Sequence, residues 1–221
     1  MAIIQDPRVG ASSAAIVDPT FDALRMTLRP TECQGTYRLA FRSGTLAAGP
    51  LAAAAALVSF RYYGTGSCLV HSVKVGLSTT LAFTQGAATM TLNVMRGMQA
   101  SDTGGTQATL GNIQKLRSAM TQPQVDIRYP TTAGLTVTAI TGGVEDPAPF
   151  ASVQLNLPAA PLQTTTPMEF FPMSWYSKPL TLTMNEGFRI RNLAAFSATG
   201  TSILTFSIYW SEYPAVSTFF Y

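Results

Sequence analysis

The sequence predicts an all-β chain, a β-sandwich of jelly-roll type, and three observations carry that expectation. Apolar and polar residues alternate over many short segments, Gly- and Pro-rich clusters separate those segments, and hardly any stretch holds a helical period. About nine such segments, punctuated by turns, match the architecture of a two-sheet sandwich.

Taken in order, residues 1–30 hold Pro7, Pro19 and Pro30 among small polar side chains and are read as an extended arm. The sandwich domain is placed at 31–213. At 36–42, Tyr37, Leu39 and Phe41 alternate with Arg38 and Arg42, the period of a half-buried strand. Val58, Phe60 and Tyr62 form a second strand, and the Gly64-Thr65-Gly66-Ser67 turn leads into Leu69, His71, Val73 and Val75. Those four alternate with Val70, Ser72 and Lys74, so the two segments are expected to pair as a hairpin. Met90, Leu92 and Val94 mark a further strand, and residues 100–112 a polar, Gly-rich loop. Ile113, Leu116 and Met120 predict a short helix over 113–120. Strands follow at 135–141 and 153–157, then an irregular, Pro-rich connection over 158–172. Near the C-terminus, 179–184 and 188–193 flank the turn Asn185-Glu186-Gly187 as a hairpin. After Thr199-Gly200, Leu204, Phe206, Ile208 and Trp210 face the core. Residues 214–221 are a tail carrying Phe219, Phe220 and Tyr221.

Composition says what kind of surface this sandwich has. Only 11% of residues are charged while 47% are hydrophobic, against about 25% charged in ordinary soluble domains. A face so poor in charge is expected to be covered by other chains. The longest apolar run, Leu51 to Val58, falls far short of the ~20 residues of a spanning helix, so no membrane partner is expected. The formal charge is +3, but Arg8, Arg38, Arg61, Lys74, Arg96, Arg117 and Arg128 are scattered singly. Nucleic-acid binding rests on clustered phosphate contacts, so no specific nucleic acid is expected either. Eleven arginines and three lysines make up the fourteen basic residues, a bias that suits subunit contacts through planar, paired hydrogen bonds. Cys33 and Cys68 lack C-x-x-C spacing and are expected to be buried thiols, with a single bridge staying open as the alternative. The first residues show no basic and apolar leader, which predicts synthesis in the cytoplasm.

No catalytic, cofactor or metal site is expected. His71 is the single histidine, and its place in the apolar phase of a strand predicts a hydrogen-bonded residue on the inner face, without a G-x-S-x-G elbow to serve. Glu145 with Asp146, and Glu169 with Glu186, are the carboxylate pairs open to glycoside chemistry, but nothing in their spacing brings either pair to bear on a substrate. Asp102 lacks the companion oxygens of a calcium loop. Phe170, Phe171, Trp175 and Tyr176 are read as capping the sandwich or meeting a neighbour. Phe219, Phe220, Tyr221, Trp175 and Tyr176 are therefore the candidate subunit-contact residues.

Five stretches, in order, carry a resemblance: Thr-Tyr-Arg-Leu-Ala-Phe-Arg-Ser-Gly at 36–44, Val-His-Ser-Val-Lys-Val-Gly-Leu at 70–77, Ala-Ser-Asp-Thr-Gly-Gly-Thr at 100–106, Lys-Leu-Arg-Ser-Ala-Met at 115–120 and Asn-Glu-Gly-Phe-Arg-Ile-Arg-Asn at 185–192. Together, over about 31–213, they resemble the all-β virion structural proteins of tailed bacteriophages, of the capsid decoration or cement type. The resemblance implies a non-enzymatic homo-oligomer on the outer surface of the virion, bound to the major capsid protein and stabilising the head. Two other readings stay open: a receptor- or carbohydrate-binding module of a head fibre or tail, and a jelly-roll shell protein.

Overall fold

The computed structural model describes residues 16–18, 23–25, 35–47, 51, 53–84, 86–131, 143–171, 179–196 and 199–213; for 16–18 and 23–25 only the backbone is described. The predicted strand at 135–141 lies outside these residues, as do Trp175, Tyr176, Phe219, Phe220, Tyr221 and Cys33. The chain divides into two compact units, 1–33 and 34–221. In the first, β1 (Ile16–Asp18) pairs antiparallel with β2 (Ala23–Arg25), a small hairpin within the segment read as an arm.

The second unit is all-β, with no helix among the described residues. Its strands are β3 (Gly35–Arg42), β4 (Leu46–Ala47), β5 (Ala56–Tyr62), β6 (Ser67–Leu81), β7 (Gly86–Arg96), β8 (Thr106–Gln107) and β9 (Gln114–Lys115). They continue as β10 (Val125–Tyr129), β11 (Val144–Glu145), β12 (Ala151–Leu157), β13 (Met168–Glu169), β14 (Leu180–Leu182), β15 (Glu186–Asn192) and β16 (Thr201–Tyr213). Two antiparallel sheets result. Sheet I runs β8-β10-β5-β15-β7, with β11 and β12 both on the outer edge of β7. Sheet II runs β9-β3-β16-β6, with β13 and β14 on the far edge of β6 and β4 beside the start of β16.

Alternation fixes which side chains lie between the sheets. Tyr37 and Leu39 on β3, and Leu204, Phe206, Ile208 and Trp210 on β16, are buried, as are Phe60, Phe188 and Ile190 from sheet I. The sheets meet through rings: Phe60 stacks on Phe188 within sheet I at 4.9 Å and takes Trp210 of sheet II edge-on at 5.6 Å. Phe41 of β3 stacks on Tyr129 of β10 at 4.6 Å. Both arrangements are favoured geometries for aromatic quadrupoles. Gly187 lets β15 approach β5 here, because a Cβ at that position would sit 2.0 Å from the Phe60 carbonyl oxygen.

Three expectations are corrected. The segments on either side of Gly64–Ser67 are not a hairpin: β5 belongs to sheet I and β6 to sheet II, so the turn carries the chain from one layer to the other. The same holds at Asn185, where β14 pairs with β6 while β15 lies between β5 and β7. Paired polar residues and glycine permit a tight reversal but also a crossing, and the choice follows from burial. Phe60 and Phe188 stack on each other on neighbouring strands of one sheet, and Trp210 of the other sheet meets Phe60 edge-on. Over 113–120 there is no helix; Gln114 and Lys115 extend sheet II beside Arg38 and Tyr37, and Leu116 and Met120 are tied to the backbone of Thr36.

Candidate interaction surfaces

The groups singled out for chemistry are each engaged in holding the sandwich together. β6 carries two extra residues relative to β16, and one of them falls where Tyr209 pairs with Ser72 and Trp210 with Val70. His71 is that extra residue. Such a bulge reverses the inward and outward phase of the strand, so Cys68 and Val70 face the core in place of the expected Leu69 and His71. The expected hydrogen bond exists, but on the outer side: His71 Nε2 and Ser211 Oγ lie 2.9 Å apart, with the imidazole against the Tyr209 ring. Burial lowers its pKa, keeping the ring neutral at physiological pH. Among the described residues no carboxylate bonds its other nitrogen, and Ser211 is buried.

The carboxylates are matched to cations. Glu145 pairs with Arg191 at 2.8 Å, and Arg96 takes both Glu186 at 2.7 Å and Asp146 at 3.3 Å. Burial raises the pKa of Glu186, but the Thr183 amide and Arg96 outweigh it and hold the group below its ordinary value. Glu169 accepts from Ser72 Oγ and lies 3.8 Å from Lys74, on the opposite sheet from Glu186. Asp102 is fully buried and forms a bidentate pair with the Arg189 guanidinium, its Nε–Oδ2 arm 2.7 Å long, so it fastens the 100–105 loop to β15. No cluster of three or more metal-ligating side chains occurs among the described residues. Cys68 is a buried free thiol, with burial and then Glu212 pushing its pKa up. Phe170 is buried and Phe171 packs edge-on to Phe150 at 5.3 Å, so these two rings cap the core.

Two surfaces remain. The first is an end of the sandwich where the last residue of β6 and two connections expose one leucine each: Leu81 at 61%, Leu162 at 86% and Leu193 at 63%. Beneath them the connections are bound together. Phe83 N–H donates to Pro158 O, Phe196 N–H to Leu51 O, Leu162 N–H to Thr79 O, and the Thr84 and Thr199 hydroxyls lie 3.1 Å apart. The Phe83 and Phe196 rings meet edge to face.

The second is a groove of about 540 Å³ on the outer face of sheet II. The register builds it in rows: Arg42, Thr205 and Gly76 lie abreast, then Ala40, Ser207 and Lys74, then Arg38 and Tyr209. Its floor is made of small side chains, Ala40, Thr205 and Ser207, and at one side the buried Gly76 lets Thr205 and Pro167 close over β6, since a Cβ there would come within 2.8 Å of Thr205 Oγ1. Arg38, Arg42 and Lys74 are exposed around it. No protein-family model matches the chain, and no curated protein matches its sequence. Geometry and composition are thus the grounds for a functional reading. The sequence reading named neither surface; Arg38 and Arg42 were legible as neighbours on one outward face, but Lys74 joins them only through the register of β16.

No helix among the described residues is long and apolar enough to cross a membrane.

Proposed function

We propose that the chain is a non-enzymatic virion structural protein, a decoration or cement subunit that stabilises a phage head from its outer surface. The observation that carries this reading is the hydrogen-bonded rim of exposed leucines on a chain only 11% charged. An apolar rim is a contact surface: each leucine buried against a partner contributes roughly 1.5–3 kcal/mol, and symmetry multiplies such contacts over a shell. The strand order supports the same reading: it is β3-β16-β6-β14 in one sheet and β5-β15-β7-β12 in the other, with every step between these strands except β7 to β12 crossing between the sheets. This is the order expected of a jelly roll of the kind used in viral capsid domains. In this proposal the partners are further copies of the chain and the major capsid protein, with 1–30 and the aromatic tail as additional contact elements.

The test is reconstitution. Purified protein added to empty heads that lack it should bind in saturable fashion and raise their resistance to heat and chelator, and Leu162→Ser with Leu193→Ser should abolish the gain. A chain that sediments as a monomer at high concentration and leaves the heads unchanged would end the proposal.

A further inference from the structure

The outer-face groove of sheet II differs from every other charged region described above in what its cations face. Neither Arg38 nor Arg42 makes a hydrogen bond or ion pair with a described residue, and the Thr205 and Ser207 hydroxyls likewise bond to none. Lys74 has only a long contact to Glu169, whose carboxylate is shared with Ser72. Along β3, Arg38 and Arg42 start about 13 Å apart, four residues of strand rise, and Lys74 lies roughly 10 Å to the side, two strand spacings away. Three cations so placed enclose a floor of methyl and hydroxyl groups.

We propose that this groove binds an acidic oligosaccharide, one bearing carboxylate or sulfate groups. Its volume lies in the range of ligand sites, about 300–1,000 Å³. Guanidinium forks match carboxylate and sulfate oxygens two at a time, and ammonium adds a point charge. The floor decides between a sugar and an acidic peptide. β16 is paired on both sides here, with β3 and with β6, so the floor offers side-chain hydroxyls but no free backbone groups. An extended peptide laid across it would lose hydrogen bonds to water without replacement, at the cost of burying polar groups unpaired. Sugar hydroxyls find donors and acceptors in Thr205 and Ser207, and the small exposed side chain of Ala40 leaves room for a ring between the cations, with Pro167 closing the groove beside Gly76. The site stands independently of any capsid role.

The experiment titrates the full chain, by isothermal calorimetry and amide chemical shifts, with four probes: a heparin-derived hexasaccharide, an oligogalacturonate, a neutral maltohexaose and a polyglutamate peptide. One or both acidic sugars should bind, more weakly as salt rises, with shifts centred on Thr205 and Ser207. The Arg38→Ala, Arg42→Ala double variant should weaken binding at least about tenfold with its thermal midpoint unchanged. Lys74→Ala should give a smaller loss. Absence of binding by both acidic sugars, equal binding of maltohexaose, or full affinity in the double variant overturns the proposal. Polyglutamate binding as tightly as the sugars with the same shifts would overturn it in favour of a peptide site.

Discussion

The outer faces of the two sheets carry similar cations and treat them oppositely. On sheet I, Arg189 is nearly inaccessible against Asp102, Arg191 has Glu145, and Arg61 donates to Asn185 and to the Gln99 carbonyl, while at the end of β7 Arg96 has two acids. Asp102 comes from the 100–105 loop, Glu145 and Asp146 from β11 and the residue after it, and Glu186 from the start of β15. On sheet II, no loop supplies Arg38 or Arg42 with an acid among the described residues, and the strand surface stays open. The contrast teaches that pairing marks where this molecule has closed a surface for itself, whereas unmatched cations mark where it has left one for something else.

The largest effect that tests this contrast belongs to the closed side. Asp102→Asn leaves the buried Arg189 guanidinium without its counter-charge and should cost about 3–5 kcal/mol in urea unfolding; a loss under about 1 kcal/mol would show that the loop is not held by this pair. Next comes Trp210→Phe on the inner face of sheet II. It removes the 3.0 Å bond from Nε1 to the buried Glu212 carboxylate and part of the ring that meets Phe60, for about 1–3 kcal/mol.

Glu212 gives a pH signature of its own. Burial raises its pKa, against the opposing bonds from Trp210 and the Gln124 amide. The folded chain therefore holds this proton more tightly than the unfolded one, and the stabilisation present below the ordinary carboxylate value is lost as pH rises through the elevated one. Glu212→Gln should flatten stability against pH above about 4.5; an unaltered profile would remove Glu212 from the account. Tyr62, pushed up to about 12 chiefly by burial and then by Glu212, adds nothing in that window.

Arg96→Gln should cost only about 0.2–1 kcal/mol, because its acids are partly solvated. Smallest of all, Arg38→Ala with Arg42→Ala should change unfolding free energy by no more than about 0.5 kcal/mol. A larger loss would mean that the open face is structural after all and would dissolve the contrast.

How far the sequence foretold this depends on the range of each interaction. Strands with clean alternation were legible, because Tyr37 and Leu39, or Leu204 through Trp210, announce a buried face within one segment. Val125–Tyr129 is less legible, because Val125 and Ile127 alternate with Asp126 and Arg128 over only five residues, with Pro123 and Pro130 on either side. The partner of each strand was not legible. A Gly-rich turn looks the same whether it closes a hairpin or crosses between layers, and the bulge at His71 leaves no local mark. Asp102 and Arg189 meet across 87 residues, and no pattern in either neighbourhood names the other. The outward pair Arg38 and Arg42 was in view, but the groove they bound exists only once β16 lies beside β3.

That position of β16 also governs when the molecule can form. It separates β3 from β6 and hydrogen-bonds to both, yet it is the last described strand to be synthesised. Until residues 201–213 leave the ribosome, β3 and β6 each expose an unpaired edge with an apolar face. Successive main strands mostly lie in opposite layers, so few local pairings exist to bridge the interval. Folding of such a chain is slow and begins after translation of its final strand, and a nascent copy needs protection from its neighbours just when a crowded polysome brings them closest.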